Sequence, residues 1–241
     1  MSAKRKQMQE QEFDAFRDDY QRQINSAISY TGQSHDFYTR VKADYLLEAL
    51  ASEFGTDKPI KVLDVGCGHG DIHRHVTKTE VPVSLTGIDV AATVVEEARK
   101  MHPDVDYDVY DGVKLPYEDG QFDAAYTICV MHHVPPPQWA AFLAEMRRVV
   151  RKGGLVMVFE HNPFNPLTRH LVNNCPIDEN AVLLKSKKLL GLMGETGLSS
   201  IRSRFIIFTP IDTAFFKRFD RLIGWLPLGA QYYTIGKVPA G

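Results

Sequence analysis

The run Val62-Leu-Asp-Val-Gly-Cys-Gly-His-Gly70 decides how the rest of this 241-residue chain is read. Apolar residues lead into an acidic residue, then three glycines at alternate positions, and a helical stretch near 71–78 follows. A strand that ends in glycines before a helix lets backbone approach a ligand closely, at φ values closed to most side chains. The spacing is Gly-x-Gly-x-Gly, not the Gly-x-Gly-x-x-Gly of a dinucleotide site, and no Gly-Lys-Ser/Thr ending marks a nucleoside-triphosphate loop. Asp64, just before the loop, would repel a pyrophosphate and attract a cation. The loop therefore reads as a cradle for a cationic ligand without phosphates.

On either side of this run the pattern is regular. Short apolar runs at Lys61–Val65, Val83–Ile88, Val105–Tyr110, Phe122–Val130 and Leu155–Phe159 alternate with helical stretches near 71–78, 91–101 and 137–151. Such alternation predicts parallel strands joined by right-handed crossovers, with helices on both faces. Ligands then sit beyond the carboxyl ends of the strands. Asp89 ends the second run, where a carboxylate can accept two ribose hydroxyls, and Asp111-Gly112 ends the third, placed for an adenine amino group. Three acidic groups at consecutive strand ends suit an adenosine ligand with a positive tail. The bland reading of Asp111-Gly112 is a simple turn.

The motifs resemble those of class I S-adenosylmethionine-dependent methyltransferases. The resemblance runs in order through Val62–Gly70, Gly87-Ile-Asp-Val90, Asp111–Asp123, Val130-Met-His-His133 and Arg151-Lys-Gly-Gly154. It implies an α/β fold: a Rossmann-like, doubly wound, seven-stranded sheet with the last strand antiparallel, helices on both faces and a helical N-terminal cap. It also implies S-adenosyl-L-methionine as cofactor, held by Asp64, Gly66, Cys67, Gly68, Asp89, Val90, Asp111, Gly112 and Cys129. Phe13-Asp-Ala-Phe-Arg-Asp-Asp-Tyr20 resembles the N-terminal helix that covers the cofactor in small-molecule members, which adds Tyr20.

Positioning is the main task in methyl transfer, because the sulfonium already activates the methyl group. An oxygen or ammonium nucleophile must also lose a proton, and a general base contributes ~10²–10⁴-fold. In sugar and natural-product O-methyltransferases of similar pattern, a histidine after the fourth strand is the base and an acidic residue after the fifth supports it. The resemblance thus points to His133 or His132 as base and Glu160 as the orienting partner. The competing reading has one histidine packing beside the cofactor and the other capping the next helix. O-methylation of a sugar or other metabolite is the expected reaction, with C- or N-methylation the nearest alternative. A cofactor-binding regulator without chemistry and a nicotinamide dehydrogenase are the rivals from other classes.

Residues 1–58 read as a helical N-terminal cap, with Phe13, Phe16 and Tyr20, then Phe37, Val41, Tyr45 and Leu46, at helical spacing around a capping turn at 30–36. Residues 59–241 read as the methyltransferase-like domain, with a lid insertion near 161–196. There His161-Asn-Pro-Phe-Asn-Pro166 makes a rigid turn, and helices follow near 167–174 and 185–196. A strand at Ser200–Phe208, a helix near 212–223 and a strand at Gln231–Gly236 close the chain. His69, His73 and His75 crowd the first helix without a partnered carboxylate set. They read as surface histidines, and no metal site is expected. Residues 185–221 carry eight basic groups, which read as a solvated face or as a site for an anionic substrate. The apolar stretch Trp225–Tyr233 reads as core, cavity wall or dimer seam.

Composition bounds the partners. Twenty-eight Lys and Arg against 30 Asp and Glu give a net charge of −2, with no global pull toward nucleic acid or anionic membrane. The 44% apolar content is that of an ordinary globular chain, and no run reaches the ~20 residues of a membrane span. The polar start lacks the apolar core of a signal peptide. Three widely spaced cysteines fit a reducing compartment, so the expected setting is cytoplasmic, with a small-molecule partner.

Overall fold

A computed structural model describes residues 32–175, 178–211 and 213–240. The expected helix at Phe13–Tyr20, and Tyr20 with it, lies outside the described residues. Seven strands form one sheet: β1 (Ile60–Val65), β2 (Val83–Asp89), β3 (Asp106–Val109), β4 (Phe122–Ile128), β5 (Val150–His161), β6 (Ser199–Ile206) and β7 (Gln231–Lys237). Their order is β3-β2-β1-β4-β5-β7-β6. The β1–β2, β1–β4, β2–β3 and β4–β5 pairs are parallel, and β7 runs antiparallel to both β5 and β6. This order differs from the 3-2-1-4-5-6 parallel sheet of the dinucleotide dehydrogenases.

Alternation along the central strands feeds two cores. Leu63, Val65, Val156 and Val158 point to one face and are covered by α4 (Trp139–Val149) and α6 (Ser186–Glu195) through Leu143, Met146, Leu189 and Met193. Val62, Tyr126, Met157 and Phe159 point to the other, under α1 (His35–Phe54) and α3 (Ala92–Met101) through Leu46, Leu50, Val95 and Ala98. Each such fully buried side chain contributes about 1.5–3 kcal/mol of transfer free energy. Burial on both faces explains why the central strands read as near-continuous apolar runs.

Local chemistry sets the boundaries. α1 starts at Ser34, which caps without a side-chain bond and accepts the Phe37 N–H on its carbonyl at 3.1 Å. α2 is only His73–Val76, shorter than the expected 71–78, because the glycine loop is still turning at residue 70, where the Gly70 carbonyl accepts the His73 N–H. α5 (Pro166–Asn174) has Pro at its start and a true cap, with Asn165 accepting the Thr168 N–H. β5 begins five residues before the expected Leu155, since Phe122 pairs with Val150 ahead of a bulge. At Gly154 an added Cβ would meet the Asp123 carbonyl at 2.3 Å, so only glycine fits that bulge.

The Trp225–Tyr233 stretch divides. Tyr232 is fully buried in the core, whereas Trp225 is 70% exposed and Leu228 63%. They continue an exposed apolar row from Phe215, Phe219 and Leu222 on α7 (Ala214–Ile223). The core reading is thus corrected at Trp225 and Leu228. Of the eight basic groups, Lys217 and Arg221 tie α7 to Asp44 and Glu48 of α1 at 3.6 and 2.9 Å.

Candidate active site

Parallel pairing brings the ends of β1, β2, β3, β4 and β5 to one edge of the sheet. At the end of β1 the chain passes through Gly66, Gly68 and Gly70 at φ of 78°, 53° and 72°. A Cβ at Gly66 would lie 2.5 Å from Val130 Cγ2, and one at Gly70 2.6 Å from the Tyr107 hydroxyl. At Gly68 it would meet nothing within 4 Å. The middle of the loop thus faces open space while its flanks are packed tight.

Asp89 holds this loop from the end of β2. Its Oδ2 accepts the Gly68 N–H at 2.9 Å and its Oδ1 accepts the Ala91 N–H at 3.0 Å. Burial raises its carboxyl above the ordinary 3.8 in spite of those bonds. Val90 and Gly112 meet at the ends of β2 and β3, where a Gly112 Cβ would come within 3.2 Å of Val90 Cγ1. Asp111 is exposed, and its Oδ1 accepts the N–H groups of Val113 and Lys114 at 2.9 and 3.0 Å, so part of its carboxylate makes its own turn.

Asp64 and Cys67 sit under the loop. Asp64 is 2% exposed and its Oδ2 pairs with His73 Nε2 at 2.9 Å, while His73 Nδ1 meets the Tyr107 hydroxyl at 2.5 Å. The surface reading of the three first-helix histidines is corrected. His73 is fully buried, His69 pairs with Glu97 at 3.2 Å, and His75 pairs with Asp36 at 2.7 Å. Asp64 reaches a ligand only as a buried negative charge beneath the backbone, and burial beside it pushes the Cys67 thiol well up.

The ends of β4 and β5 carry the second half of the site. Cys129 stands at φ 55°, a left-handed residue that turns the chain as β4 ends. Its N–H still bonds to the Phe159 carbonyl at 2.9 Å, and Gln231 Nε2 lies 3.7 Å from its sulfur. Burial pushes this thiol up to about 11. A tight 3₁₀ turn, Met131–His133, follows, pinned by the Trp139 indole N–H on the carbonyls of Met131 and Val134 at 2.8 and 2.9 Å.

That turn aims two imidazoles inward. His132 is 2% exposed, and its Nδ1 meets Glu160 Oε2 at 2.6 Å while its main-chain N–H reaches Oε1 at 3.3 Å. Asp178 Oδ1 lies 3.4 Å from His132 Nε2 and 3.4 Å from the Nε2 of half-buried His133. The His161 ring stacks beside His132 at 5.2 Å. Burial disfavours a charged His132, but Glu160 and Asp178 outweigh it and hold its pKa well above the usual range. Burial opposes ionisation of both carboxyls too, yet the histidines lower them. Burial and the charge on His132 together depress His133 and His161 to about 4.

The structure therefore joins His132, His133 and Glu160 as expected from the sequence, and adds Asp178, His161 and Gln231. Asp178 arrives from the 175–185 connection, which the Val182 N–H ties to the His132 carbonyl at 2.8 Å. Only chain reversal after α5 brings it there, so spacing along the sequence carried no signal for it. Buried Lys42 of α1 is close enough to lower the pKa of both Cys129 and His161.

Residues 62–154 match a family described as a methyltransferase domain. Over 109 residues the chain is 34% identical to phthiotriol/phenolphthiotriol dimycocerosates methyltransferase 1 of Mycobacterium ulcerans, covering 44% of this chain and 40% of that protein. A Thermotoga maritima SAM-dependent methyltransferase superposes with a TM-score of 0.67 at 18% identity, over 94% of this chain and 98% of that one. The matched stretch, 62–154, is thus a methyltransferase domain, set in a fold shared with S-adenosylmethionine-dependent methyltransferases.

The chain is also 32% identical over 136 residues to norajmaline N-methyltransferase of Rauvolfia serpentina, covering 53% of this chain and 44% of that one. It spans 40% and 44% of the length of these two curated relatives. Phosphoethanolamine N-methyltransferase 2 of Haemonchus contortus, solved with S-adenosyl-L-methionine, has a TM-score of 0.59 at 15% identity, over 81% of this chain and 52% of that one. S-adenosyl-L-methionine, the cofactor of the family, fits the residues present. The open space over Gly68 is where the backbone would approach it, and the half-buried Asp89 faces the same edge with lone pairs left for ribose hydroxyls. Among the described residues no helix is long and apolar enough to cross a membrane.

Proposed function

We propose that the protein transfers the methyl group of S-adenosyl-L-methionine to a hydroxyl of a small molecule, a sugar or similar metabolite, at the polar cluster beyond β4 and β5. One observation carries this reading: a buried imidazole–carboxylate pair, His132 with Glu160 at 2.6 Å, stands one turn from the Val130 side chain that packs on the cofactor loop. Such a pair serves an acceptor that must lose a proton as it attacks, and a hydroxyl is the acceptor we assign.

Bound on the glycine loop, the cofactor supplies an activated methyl group. Asp89 and the main chain of Gly66 and Gly68 fix the adenosine end, with the end of β3 at Asp111 and Gly112 beside the base. Glu160 orients His132, which has little room to move and is a positioning residue. His133, less buried, is the imidazole placed to accept the hydroxyl proton when the cluster holds no other ligand. Residues 162–175 and 178–184 close over the acceptor, and Lys42 favours an acceptor carrying an anionic group. The exposed apolar row on α7 offers a seam for a homodimer. The three cysteines, two of them buried and none joined in a disulfide, favour a reducing cytoplasm.

Calorimetry with S-adenosylhomocysteine and with NAD is the first test. Saturable binding of the former alone is expected, and binding of NAD alone would remove the reading. Turnover of labelled S-adenosylmethionine against hydroxyl-bearing metabolites should then give a labelled ether. Exclusive labelling of carbon or nitrogen would overturn the oxygen assignment.

A further inference from the structure

Two distances in the cluster are long for hydrogen bonds. Asp178 Oδ1 is 3.4 Å from both His132 Nε2 and His133 Nε2, beyond the usual ~2.7–3.2 Å of an N–H···O contact. Yet the two rings turn toward the same oxygen, with centroids 4.2 Å apart, and all three atoms lie within 4.8 Å of one another. Around a tetrahedral cation with ligand bonds of ~2.0–2.1 Å, neighbouring ligand atoms stand about 3.3–3.4 Å apart.

The surroundings of His132 point the same way. Its second nitrogen is clasped by Glu160, whose other oxygen takes the main-chain N–H of the same residue. A metal-bound histidine almost always gives its remaining ring nitrogen to a carboxylate or carbonyl, which fixes the ring and directs the free nitrogen at the ion. The turn itself is pinned by Trp139, so the two imidazoles are held before any ligand arrives. His133 and Asp178 are only half-buried, leaving one side of the trio open.

We propose that His132, His133 and Asp178 bind one divalent transition-metal ion, zinc by ligand type, with Glu160 as the orienting outer partner and the fourth position open. Three protein ligands and an open position are the arrangement of a catalytic rather than a structural zinc site. The role of the ion rests on the methyl-transfer reading. The acceptor hydroxyl takes the fourth position, and the ion lowers its pKa so that its proton leaves to solvent. The oxygen then forms its bond to the methyl carbon as the carbon–sulfur bond breaks. The products are a methyl ether and S-adenosylhomocysteine. With the ion bound, both imidazoles are ligands, and the ion replaces His133 in activating the hydroxyl.

The test uses the full chain, stripped with a chelator and titrated with Co²⁺, whose visible absorption reports tetrahedral nitrogen and oxygen ligation. One Co²⁺ per chain, displaced by Zn²⁺, is expected. Asp178→Asn and His133→Gln should each weaken binding at least tenfold, and Glu160→Gln about 10–100-fold. Melting curves by circular dichroism confirm that each variant folds. Absence of a saturable band in the wild-type chain overturns the site, as does an unchanged band in Asp178→Asn. S-adenosylhomocysteine binding, read in parallel, separates the two readings: lost metal with retained cofactor binding sinks only the ion. If ether formation is unaffected by chelation while Co²⁺ binds as expected, the ion has no part in the transfer.

Discussion

Gly66 and Gly68 carry the same backbone requirement for different reasons. Both have positive φ, which costs a residue with a side chain about 1–2 kcal/mol. At Gly66 the new methyl would also be forced against Val130, and such overpacking costs about 1–3 kcal/mol more. Gly66→Ala should therefore lower stability by about 2–5 kcal/mol in all, and Gly68→Ala by only the backbone share. At about 2–4 °C per kcal/mol for a chain of this size, thermal unfolding resolves the two. Binding should rank them the other way per unit of stability lost. The Gly68→Ala methyl points into open space over the loop and should cut S-adenosylhomocysteine affinity at least tenfold. Wild-type affinity in that variant would mean the cofactor does not cross Gly68. These two positions were legible in the sequence because a glycine spacing states a backbone need directly. Asp178 and the buried His73 were not. A lone aspartate in a connection, and a histidine three residues past the loop, look alike whether they face water or a carboxylate.

α1 shows how an element can be read correctly and its chemistry missed. Of the four residues expected at helical spacing, Phe37 and Leu46 are buried and Val41 and Tyr45 half-buried, with Leu50 completing the buried face. His35 in its first turn lies 3.6 Å from Asp71, with Asp36 and Arg74 nearby and Lys42 further along the helix. Burial first, then Lys42 and Arg74, depress its pKa from 6.5 to about 4, against the opposing pull of Asp71 and Asp36. The folded chain thus refuses a proton that the unfolded chain accepts. Stability from this group is complete above pH 6.5 and is lost as pH falls from 6.5 toward 4, by at most on the order of 3 kcal/mol. Melting temperature against pH for the wild type and His35→Gln should diverge in that window and run parallel above it. Parallel curves down to pH 4.5 would show that His35 is solvated. The strands β1, β2, β4 and β7 fell where the apolar runs placed them, because burial on both faces leaves little else to decide. β5 ran longer and α2 shorter than expected, since a bulge at Gly154 and a loop turn at Gly70 depend on partners distant in sequence.

Charge and motif divide the chain unevenly. The recognised stretch, 62–154, contains the cofactor loop and the strands that position it, and it ends as β5 begins. The acceptor side is built from the remainder: the 162–185 connection, α6, β6, α7 and β7. That connection is attached to the sheet by a few polar bonds. Asn162 Nδ2 donates to the Gly229 carbonyl at 2.7 Å, the Val182 N–H donates to the His132 carbonyl at 2.8 Å, and the Tyr232 hydroxyl donates to the Leu184 carbonyl at 2.6 Å. Removing the last with Tyr232→Phe keeps the ring in the core but leaves a buried carbonyl without its donor, at about 1–3 kcal/mol. If the connection opens apart from the cofactor half, hydrogen exchange at 178–185 should quicken in Tyr232→Phe while 62–70 stays unchanged. Cofactor affinity should also be unchanged, and acceptor turnover should fall as Asp178 leaves the two histidines. Equal acceleration in both halves would instead mean that the chain opens as one cooperative unit. In that case the acceptor site could not be remodelled without loosening the cofactor loop, because Val130 packs on Gly66 only one turn from the histidines that Asp178 faces.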